Sequence, residues 1–463
     1  MDRPPLLMVS PLPPARNGIA DYAAALLTGL ATHYDCAAAC EDWLAEAPPG
    51  IPVVDPALAH RLPGEGRRLL YQLGNNPGHG GVLRALRDRP GVTVLHDPGL
   101  LHLYESTGED RASILAGMRH AVPGLAATYA RHLREDGVST RANHLLFDLA
   151  GEVLARSRAV ILHSRFALNR LRLAHGAAAT AHAAVIPHLL PPGRPPDRAA
   201  ARARLGIAPG TFLVVTAGFA SQAKRLDWVL AALEGLPALR WIHAGGVPPA
   251  LARRIGARAT ITGHLAEAEF DAHIAAADAL VNLRFPSAGE SSGSVARGLR
   301  AGVCCLVSAT GAFTELPREA VIHLPLAGGA GALAEALAGL AAAPERAAAI
   351  GAAGRRHAEA EMALPAIAAR YREVIETAWA VPPPAPRPPP LLRVAADRAL
   401  IAAALAGRSG PCRLRLDGPD PGWLAECSLA PGGLAEALLP PGVALRAARL
   451  EGPDLLLDLV LPA

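Results

Sequence analysis

Short apolar runs alternate with amphipathic segments through most of the chain. The runs LLMVS, RLLYQL, GVTVLH, AVILHS and AAVIP predict buried strands, and GIADYAAALLTGLATHY shows the apolar spacing of a helix. After a proline-rich stretch at 189–197 the pattern restarts with TFLVVTAG, LRWIHAGG, ATITG and DALVNL. Strands that alternate with helices are typical of parallel sheets with right-handed crossovers. We therefore expect an α/β protein with two doubly wound domains that face a cleft.

The same pattern divides the chain into five segments. We expect one α/β domain over residues 1–190, a second over 191–363 and a closing helix over 364–380. Residues 381–390, VPPPAPRPPP, predict an extended polyproline linker. Residues 391–463 contain the strand-like runs CRLRLDG and PDLLLDLVLP, so we expect a small appendage with β-structure, of unknown role.

Composition narrows the classes of protein that fit this architecture. The 463 residues carry a formal net charge of +4 and few aromatic residues, without a basic stripe, so we do not expect a nucleic-acid partner. None of the six cysteines belongs to a CxxC pair with zinc-ligand partners, and we expect reduced, mostly buried thiols. The first residues, MDRPPLLMVSPLPP, do not resemble a signal peptide, and no run approaches the roughly 18 apolar residues of a membrane span. We expect a cytoplasmic protein.

One basic residue stands apart from the others. Lys224, in GFASQAKRLDW after the first strand of the second block, is the only lysine among 45 basic residues. An ammonium is a compact point charge, whereas a guanidinium is a wide planar fork. Lys224 therefore marks either a site where arginine does not fit or an ordinary surface position.

Candidate binding residues collect in loops after predicted strands, where open α/β sheets bind ligands. Asn17 and Gly18 open a helix after the first strand, and the exposed N–H groups there suit a phosphate; the alternative is an ordinary loop and helix cap. The chain has neither GxGxxG nor GxxxxGK[ST], so a dinucleotide fold or a P-loop is not supported.

The loops YQLGNNPGH and VLHDPGLLHLY carry a second group of polar residues. Such side chains could hold sugar hydroxyls, and the residues concerned are Asn75, Asn76, His79, His96, Asp97 and His102. A metal site built from His96, Asp97 and His102 is an alternative, although their spacing matches no common ligand pattern.

The stretch RFPSAGESSGSVARGLRAG, residues 284–302, places one carboxylate between two strand-like runs. Glu290 could hold sugar hydroxyls, while the helix that starts near Ser292, Gly293 and Ser294 faces a diphosphate. The alternative is that Glu290 caps that helix.

Taken together, these motifs resemble family 4 of the retaining glycosyltransferases, which have the GT-B fold. The resemblance covers roughly residues 5–380 and rests on PLPPARNGIADY, YQLGNNPGH, VLHD, VIPH, GFASQAKR, and RFPSAGESSGS followed by GAFTELP. It implies two Rossmann-like domains, of which the second binds a nucleotide-diphosphate sugar and the first mainly the acceptor. It also implies that the helix at 364–380 crosses back to the first domain.

The resemblance assigns roles to individual residues. Lys224 matches the lysine that binds the donor diphosphate, and Glu290 matches the first acid of the E-x7-E motif, which contacts the transferred sugar. Gly18 matches the glycine loop near the diphosphate, and His96 falls where the family has a histidine near the sugar. With these we group Asn17, Ser292, Gly293 and Ser294 as donor-binding residues, and Asp97, Asn75, Asn76 and His79 as acceptor or sugar contacts.

Two positions depart from the family pattern. The second acid of the motif, which usually holds the nucleotide ribose, would fall on Gly298. The phosphate-binding arginine would fall on Gly218. Ribose and phosphate contacts must therefore come from other residues, or activity is weakened.

The resemblance implies transfer of a sugar, with retained anomeric configuration, from a UDP- or GDP-type donor to a glycan, a lipid-linked molecule or another hydroxyl acceptor. The acceptor proton would pass to the leaving phosphate, so no protein base is required. We expect no cofactor, and no metal because no DxD-like acidic pair accompanies these loops. Peripheral membrane contact and the oligomeric state are left open.

Three other functions fit the same fold. A non-catalytic sugar-nucleotide-binding or scaffold protein is favoured by Gly218 and Gly298 but not by Glu290 and Lys224. A sugar-nucleotide epimerase or a phosphorylase would keep the fold and change the reaction. A glycoside hydrolase needs a second carboxylate paired with Glu290, and Asp97 is the only other acid expected in the cleft.

Overall fold

The structure is a computed structural model of the chain. The residues it describes are 3–56, 66–108, 114, 117–118, 122, 125, 128, 145–383, 391–395, 397–417, 419, 433–451 and 454–462. The polyproline linker expected at 381–390 lies mostly outside these residues. The described residues form two compact units, which divide between Pro384 and Ala385.

The first unit begins with a parallel sheet of seven strands. The strands are β1 (Pro5–Val9), β2 (Asp35–Ala39), β3 (Val53–Val54), β4 (Arg68–Leu73), β5 (Val92–Leu95), β6 (Ala159–Leu162) and β7 (Ala183–Val185). Their order in the sheet is β3-β2-β1-β4-β5-β6-β7. The strand order reverses between β1 and β4, which pair in parallel. Crossover helices bury both faces, so the strands are continuous apolar runs.

Helices of this part connect successive strands. They are α1 (Gly18–Leu30), α2 (Gly80–Asp88), α3 (Leu101–Ser106), α4 (Gly151–Arg156) and α5 (Arg165–Ala179). Helix α1 buries Tyr22, Leu26, Leu27 and Leu30 against the sheet, as its apolar spacing predicts.

The second sheet has six parallel strands. They are β8 (Leu213–Ala217), β9 (Arg240–Ala244), β10 (Thr260–Ile261), β11 (Ala279–Asn282), β12 (Cys304–Ser308) and β13 (Val321–Leu324). Their order is β10-β9-β8-β11-β12-β13, so the switch point lies between β8 and β11. Ligands of open α/β sheets bind at such a point, beyond the carboxyl ends of the strands.

The helices of the second half cover this sheet and then return to the first. They are α6 (Arg198–Arg204), α7 (Leu226–Glu234), α8 (Pro249–Ile255), α9 (Glu267–Ala275), α10 (Gly293–Arg300), α11 (Gly329–Ala342), α12 (Pro344–Glu361) and α13 (Leu364–Trp379). Helix α13 packs on α1, where the hydroxyl groups of Tyr22 and Tyr371 are 2.8 Å apart. Glu376 accepts hydrogen bonds from Tyr34 and from the Arg68 guanidinium of β4. The last helix of the unit therefore belongs to the core of its first half.

The second unit, Ala385–Ala463, contains a four-stranded sheet. Its elements are β14 (Leu391–Ala395), α14 (Arg398–Leu405), β15 (Gly410–Asp417), α15 (Gly433–Leu438), β16 (Ala444–Glu451) and β17 (Asp454–Leu461). β17 pairs antiparallel with both β15 and β16. The appendage with β-structure is thereby confirmed.

No single helix in the described part of the chain is long and apolar enough to cross a membrane. One pair of helical segments, Leu326–Ala342 and Pro344–Trp379, passes the length and composition criteria jointly but is bent by 104°.

Candidate active site

The loop after β1 leads into α1 through Asn17. The Asn17 side-chain oxygen accepts a hydrogen bond from the Ala20 N–H at 2.8 Å, so Asn17 is the N-cap of α1. Gly18 is exposed, and a Cβ there would meet no atom within 4 Å. Packing therefore does not require a glycine at position 18, and open space lies in front of this helix end.

Three of the expected sugar contacts also make hydrogen bonds within the protein. The Asn75 side-chain oxygen accepts from the Leu103 N–H at 2.9 Å, and that of Asn76 accepts from the Gly78 N–H at 3.0 Å. His79 is buried, with its Nδ1 2.9 Å from the Gln72 carbonyl, and burial lowers its pKa to about 4. The structure thus gives Asn75, Asn76 and His79 structural contacts that their polarity alone did not reveal.

Asp97 is the partly exposed acid of this loop. Its carboxylate accepts a hydrogen bond from the Asn75 N–H at 2.8 Å. Burial raises the pKa of Asp97, and the Glu290 carboxylate of the second half raises it further. Asp97 and Glu290 are therefore near enough to interact across the cleft.

His96 belongs to a cluster that the sequence did not predict, the histidine cluster of Tyr22, His96, His163 and His188. The Tyr22 ring centroid lies 4.8, 5.3 and 4.9 Å from those of His96, His163 and His188. His96 Nε2 is 2.8 Å from the Gln72 side-chain oxygen, and His96 Nδ1 is 3.2 Å from His163 Nε2. His96 and His163 each directly follow a strand. This shared position is the feature of the sequence from which their proximity could have been predicted.

Burial keeps the histidine cluster neutral. It lowers the pKa of His163 to about 4 and that of His188 to about 3, and it holds the pKa of His96 well below the usual range. Neighbouring histidines lower the values for His96 and His188 further. At neutral pH these rings can donate or accept hydrogen bonds but carry no charge.

Lys224 lies beneath the turn that follows β8. Its ammonium group donates a hydrogen bond to the Ala217 carbonyl at 2.7 Å. A Cβ at Gly218 would stand 2.6 Å from Lys224 Nζ and 3.7 Å from Ser294 Oγ, so the ammonium and this hydroxyl flank one point. Burial lowers the Lys224 pKa to about 7, and the Arg284 charge contributes. Lys224 is therefore not an ordinary surface lysine.

Gly218 also explains one departure from the family pattern. Its φ of +82° lies in the region that glycine prefers, and the space a side chain would need is filled by Lys224. An arginine cannot stand there without moving the lysine.

Helix α10 begins between the two halves of the cleft. Ser292 is its N-cap: the hydroxyl accepts from the Val295 N–H and donates to the Asn282 side-chain oxygen at 3.1 Å. A Cβ at Gly293 would lie 3.9 Å from the His188 ring. The first turn of α10 therefore lies between His188 on one side and Lys224 on the other, near Ser294.

Glu290 is not the cap of α10. Its Oε2 accepts hydrogen bonds from the Ser287 hydroxyl at 3.1 Å and the Ala288 N–H at 2.9 Å. Its Oε1 lies 3.8 Å from Arg284 Nε. One carboxylate oxygen is thus held by the loop, and the nearest cation to the other among the described residues is Arg284, beyond hydrogen-bond distance.

Gly298 shows why the second acid is absent. A Cβ at this position would approach the Leu280 side chain to 2.5 Å and Cys305 Sγ to 2.8 Å, so Gly298 faces the sheet and not the cleft. The preceding residue, Arg297, ion-pairs with Asp271 at 2.5 Å and Glu267 at 2.8 Å on α9. The position that the family pattern assigns to a ribose contact is a core position in this chain.

The two halves meet along α5. Glu315, after β12, accepts hydrogen bonds from the N–H groups of Arg165 and Phe166 at 3.0 and 2.7 Å, at the N-terminus of α5. Arg170 of the same helix donates to the Ala288 carbonyl in the Glu290 loop at 3.2 Å. The Arg170 contact ties the Glu290 loop to α5, and Glu315 ties the segment after β12 to the same helix.

A cavity of about 870 Å³ adjoins the histidine cluster. His163, His188 and Ser292 line it, and Arg172 and Arg370 contribute cations, but Lys224 and Glu290 do not border it. The described residues contain no group of three or more histidine, cysteine, aspartate or glutamate side chains that could hold a metal ion. His96, Asp97 and His102 are therefore not arranged as a metal site, and independence of metal stays a prediction.

No protein-family model matches the chain, and no curated protein matches it by sequence. Solved structures do match. Sucrose-phosphate synthase from Thermosynechococcus elongatus is 19% identical with a TM-score of 0.57, and covers 82% of this chain and 100% of its own. HepE of Anabaena, solved with UDP and glucose, is 15% identical with a TM-score of 0.58, and covers 81% and 100%.

The catalytic domain of starch synthase IV from Arabidopsis thaliana, bound to ADP and acarbose, is 12% identical with a TM-score of 0.55, and covers 82% and 100%. Identities this low establish the fold alone. Residues up to the end of the first unit therefore have the GT-B fold of these glycosyltransferases, with two Rossmann-like domains around a cleft.

Proposed function

We propose that this chain is a retaining glycosyltransferase similar to family 4, which transfers a sugar from a nucleotide-diphosphate sugar to a hydroxyl acceptor. The observation that carries the proposal is the arrangement around the turn after β8. Lys224 Nζ and Ser294 Oγ flank one point at the start of α10, and Glu290 lies in the loop before that helix. A cation, a helix N-terminus and a nearby acid suit a diphosphate joined to a sugar.

The diphosphate would lie against Lys224 and the first turn of α10. Its charge favours protonation of a lysine whose pKa burial holds near 7. As the bond from the anomeric carbon to the phosphate oxygen breaks, negative charge builds on the phosphate. Lys224 and the N–H groups of Gly293 and Ser294 would stabilise it.

The sugar would lie between Glu290 and the histidine cluster. The Glu290 carboxylate would stabilise positive charge on the ring, and neutral His96 would hydrogen-bond a sugar hydroxyl. The acceptor oxygen would bond to the anomeric carbon on the face that the phosphate leaves, and its proton would pass to a phosphate oxygen.

A UDP- or ADP-type donor is favoured by the ligands of similar structures, since HepE was solved with UDP and starch synthase IV with ADP. A glycan or lipid-linked acceptor remains part of the proposal. The test is a thermal-shift panel of UDP-, ADP- and GDP-sugars, in which a donor at 100 times its Kd adds about 2.7 kcal/mol of stability. Product analysis with and without hydroxyl acceptors then separates transfer from epimerisation and from binding alone. A panel without any shift would refute the proposal.

A further inference from the structure

The proposed donor site has little positive charge for a diphosphate ligand. A diphosphate brings about two negative charges, and Gly218 leaves no room for an arginine beside Lys224. A single lysine whose pKa lies near 7 is only partly charged at neutral pH. A second cation should therefore reach the same point from another loop.

Arg284 is such a cation, and the structure leaves it poorly paired. Its Nε is buried without a hydrogen-bond acceptor among the described residues. Its carboxylate neighbour is Glu290, at 3.8 Å, which is too long for a hydrogen bond. By contrast, the buried Arg297 and Arg300 each have a carboxylate oxygen at 2.5 Å.

A buried guanidinium nitrogen without an acceptor is unfavourable unless a ligand supplies one. The Arg284 side chain is 16% exposed, so water satisfies little of it. Its backbone is fixed, since the Arg284 N–H donates to the Ser308 hydroxyl at 3.0 Å. This contact anchors the Arg284 backbone just after β11.

Arg284 also lies between the two parts of the proposed donor site. Its charge acts on Lys224 and on Asp97, and its side chain points towards Glu290. It is therefore near both the expected diphosphate and the expected sugar.

We propose, on the basis of the function proposed above, that Arg284 binds the donor diphosphate in place of the arginine that Gly218 excludes. Before donor binds, Glu290 is its weak partner. When donor binds, the guanidinium moves to the phosphate and releases Glu290 Oε1 towards the sugar. The two residues then act in sequence, one on the leaving group and the other on the sugar.

The rival explanation is that Arg284 only neutralises Glu290. A double-mutant cycle separates the two, with Kd for UDP, ADP and GDP measured by titration calorimetry on the full chain. The variants are Arg284→Gln, Glu290→Gln and the double variant, with Arg284→Lys as the conservative change. Arg253→Gln, which removes an exposed arginine of α8, is the matched control for loss of one charge.

We expect Arg284→Gln to raise the Kd for the diphosphate that wild type binds by roughly 10- to 100-fold. The same increase should occur in the Glu290→Gln background. Arg284→Lys should recover part of the loss. Glu290→Gln alone should bind the sugar-free diphosphate as well as wild type or better, and Arg253→Gln should bind normally. Binding of the corresponding nucleoside, without phosphate, should not change.

An effect of Arg284→Gln that disappears in the Glu290→Gln background would overturn this inference and make Arg284 a charge partner only. Equal Kd values for wild type and Arg284→Gln would do the same. A wild-type chain that binds none of the three diphosphates would instead reject the proposed function itself. Thermal unfolding of each variant establishes that it is folded.

Discussion

Lys224 lies in an environment that is unusual for a lysine. The Gly218 turn encloses its ammonium, and the charged or titratable groups that act on it are Arg284 and His243. The His243 pKa is lowered to about 4, so this imidazole is neutral above pH 5. Only Lys224 should therefore change charge near pH 7 on this side of the site.

We predict that donor affinity falls as pH rises through 7. Below pH 7 the lysine of the free protein is already protonated; above pH 7, donor binding must take up a proton, which costs up to about tenfold in Kd per pH unit. A nucleotide sugar is the right ligand, because its diphosphate has no terminal ionisation in this range. Lys224→Ala should bind weakly at every pH, and Lys224→Arg should recover only part of the affinity and show no pH dependence.

A wild-type Kd that is constant from pH 6 to pH 9 would contradict this prediction, because the free lysine would then titrate outside this range or its ammonium would not contact the diphosphate.

Residue types, their positions after strands and the family resemblance nominated Lys224, Glu290 and His96 from the sequence, and their roles stay predictions. They did not reveal which polar groups the loops use for themselves. In the sequence, Asn75 and Asn76 resemble ligand-binding residues. In the structure their side-chain oxygens accept hydrogen bonds from backbone N–H groups. His163 and His188 were missed because their partner, Tyr22, comes from a distant helix.

At the scale of elements, alternating strands and helices predicted most of both sheets. β2, DCAAA, was missed because alanine favours helices, and only its place beside β1 makes it a strand. Gly298 was assigned to the cleft by counting residues along the family motif. The helix instead turns this position towards β11 and β12, and orientation of that kind needs the packed structure.

Gly298→Ala should therefore destabilise the protein by about 1–3 kcal/mol, because the new methyl group overlaps Leu280 and Cys305. The matched control is Gly339→Ala in α11, which is exposed, with open space at its Cβ. That change should be neutral or stabilise by up to about 1 kcal/mol, since alanine favours a helix. Urea unfolding measures both variants, and a neutral Gly298→Ala would show that position 298 faces open space.

At the scale of the whole molecule, the chain divides after Pro384 into a GT-B unit and a smaller unit. All the candidate site residues lie in the first. We predict that a chain ending at Pro384 stays folded and binds donor with an affinity similar to that of the full chain. Size-exclusion chromatography and donor titration are the measurements, and aggregation or loss of binding would show that the first unit depends on residues 385–463.

The central claim is that the protein transfers a sugar in the cleft and that the Glu290 carboxylate stabilises positive charge on that sugar. The most direct measurement is turnover with the donor identified by the panel, in the presence of EDTA, for wild type and Glu290→Gln. The variant should fold normally, because the amide oxygen can still accept from Ser287 and Ala288. We predict metal-independent transfer with retained anomeric configuration, resolved by NMR of the product, and a loss of roughly 10²-fold or more in kcat for the variant. An inverted product, an absolute need for a divalent metal, or a Glu290→Gln variant as fast as wild type would contradict the account.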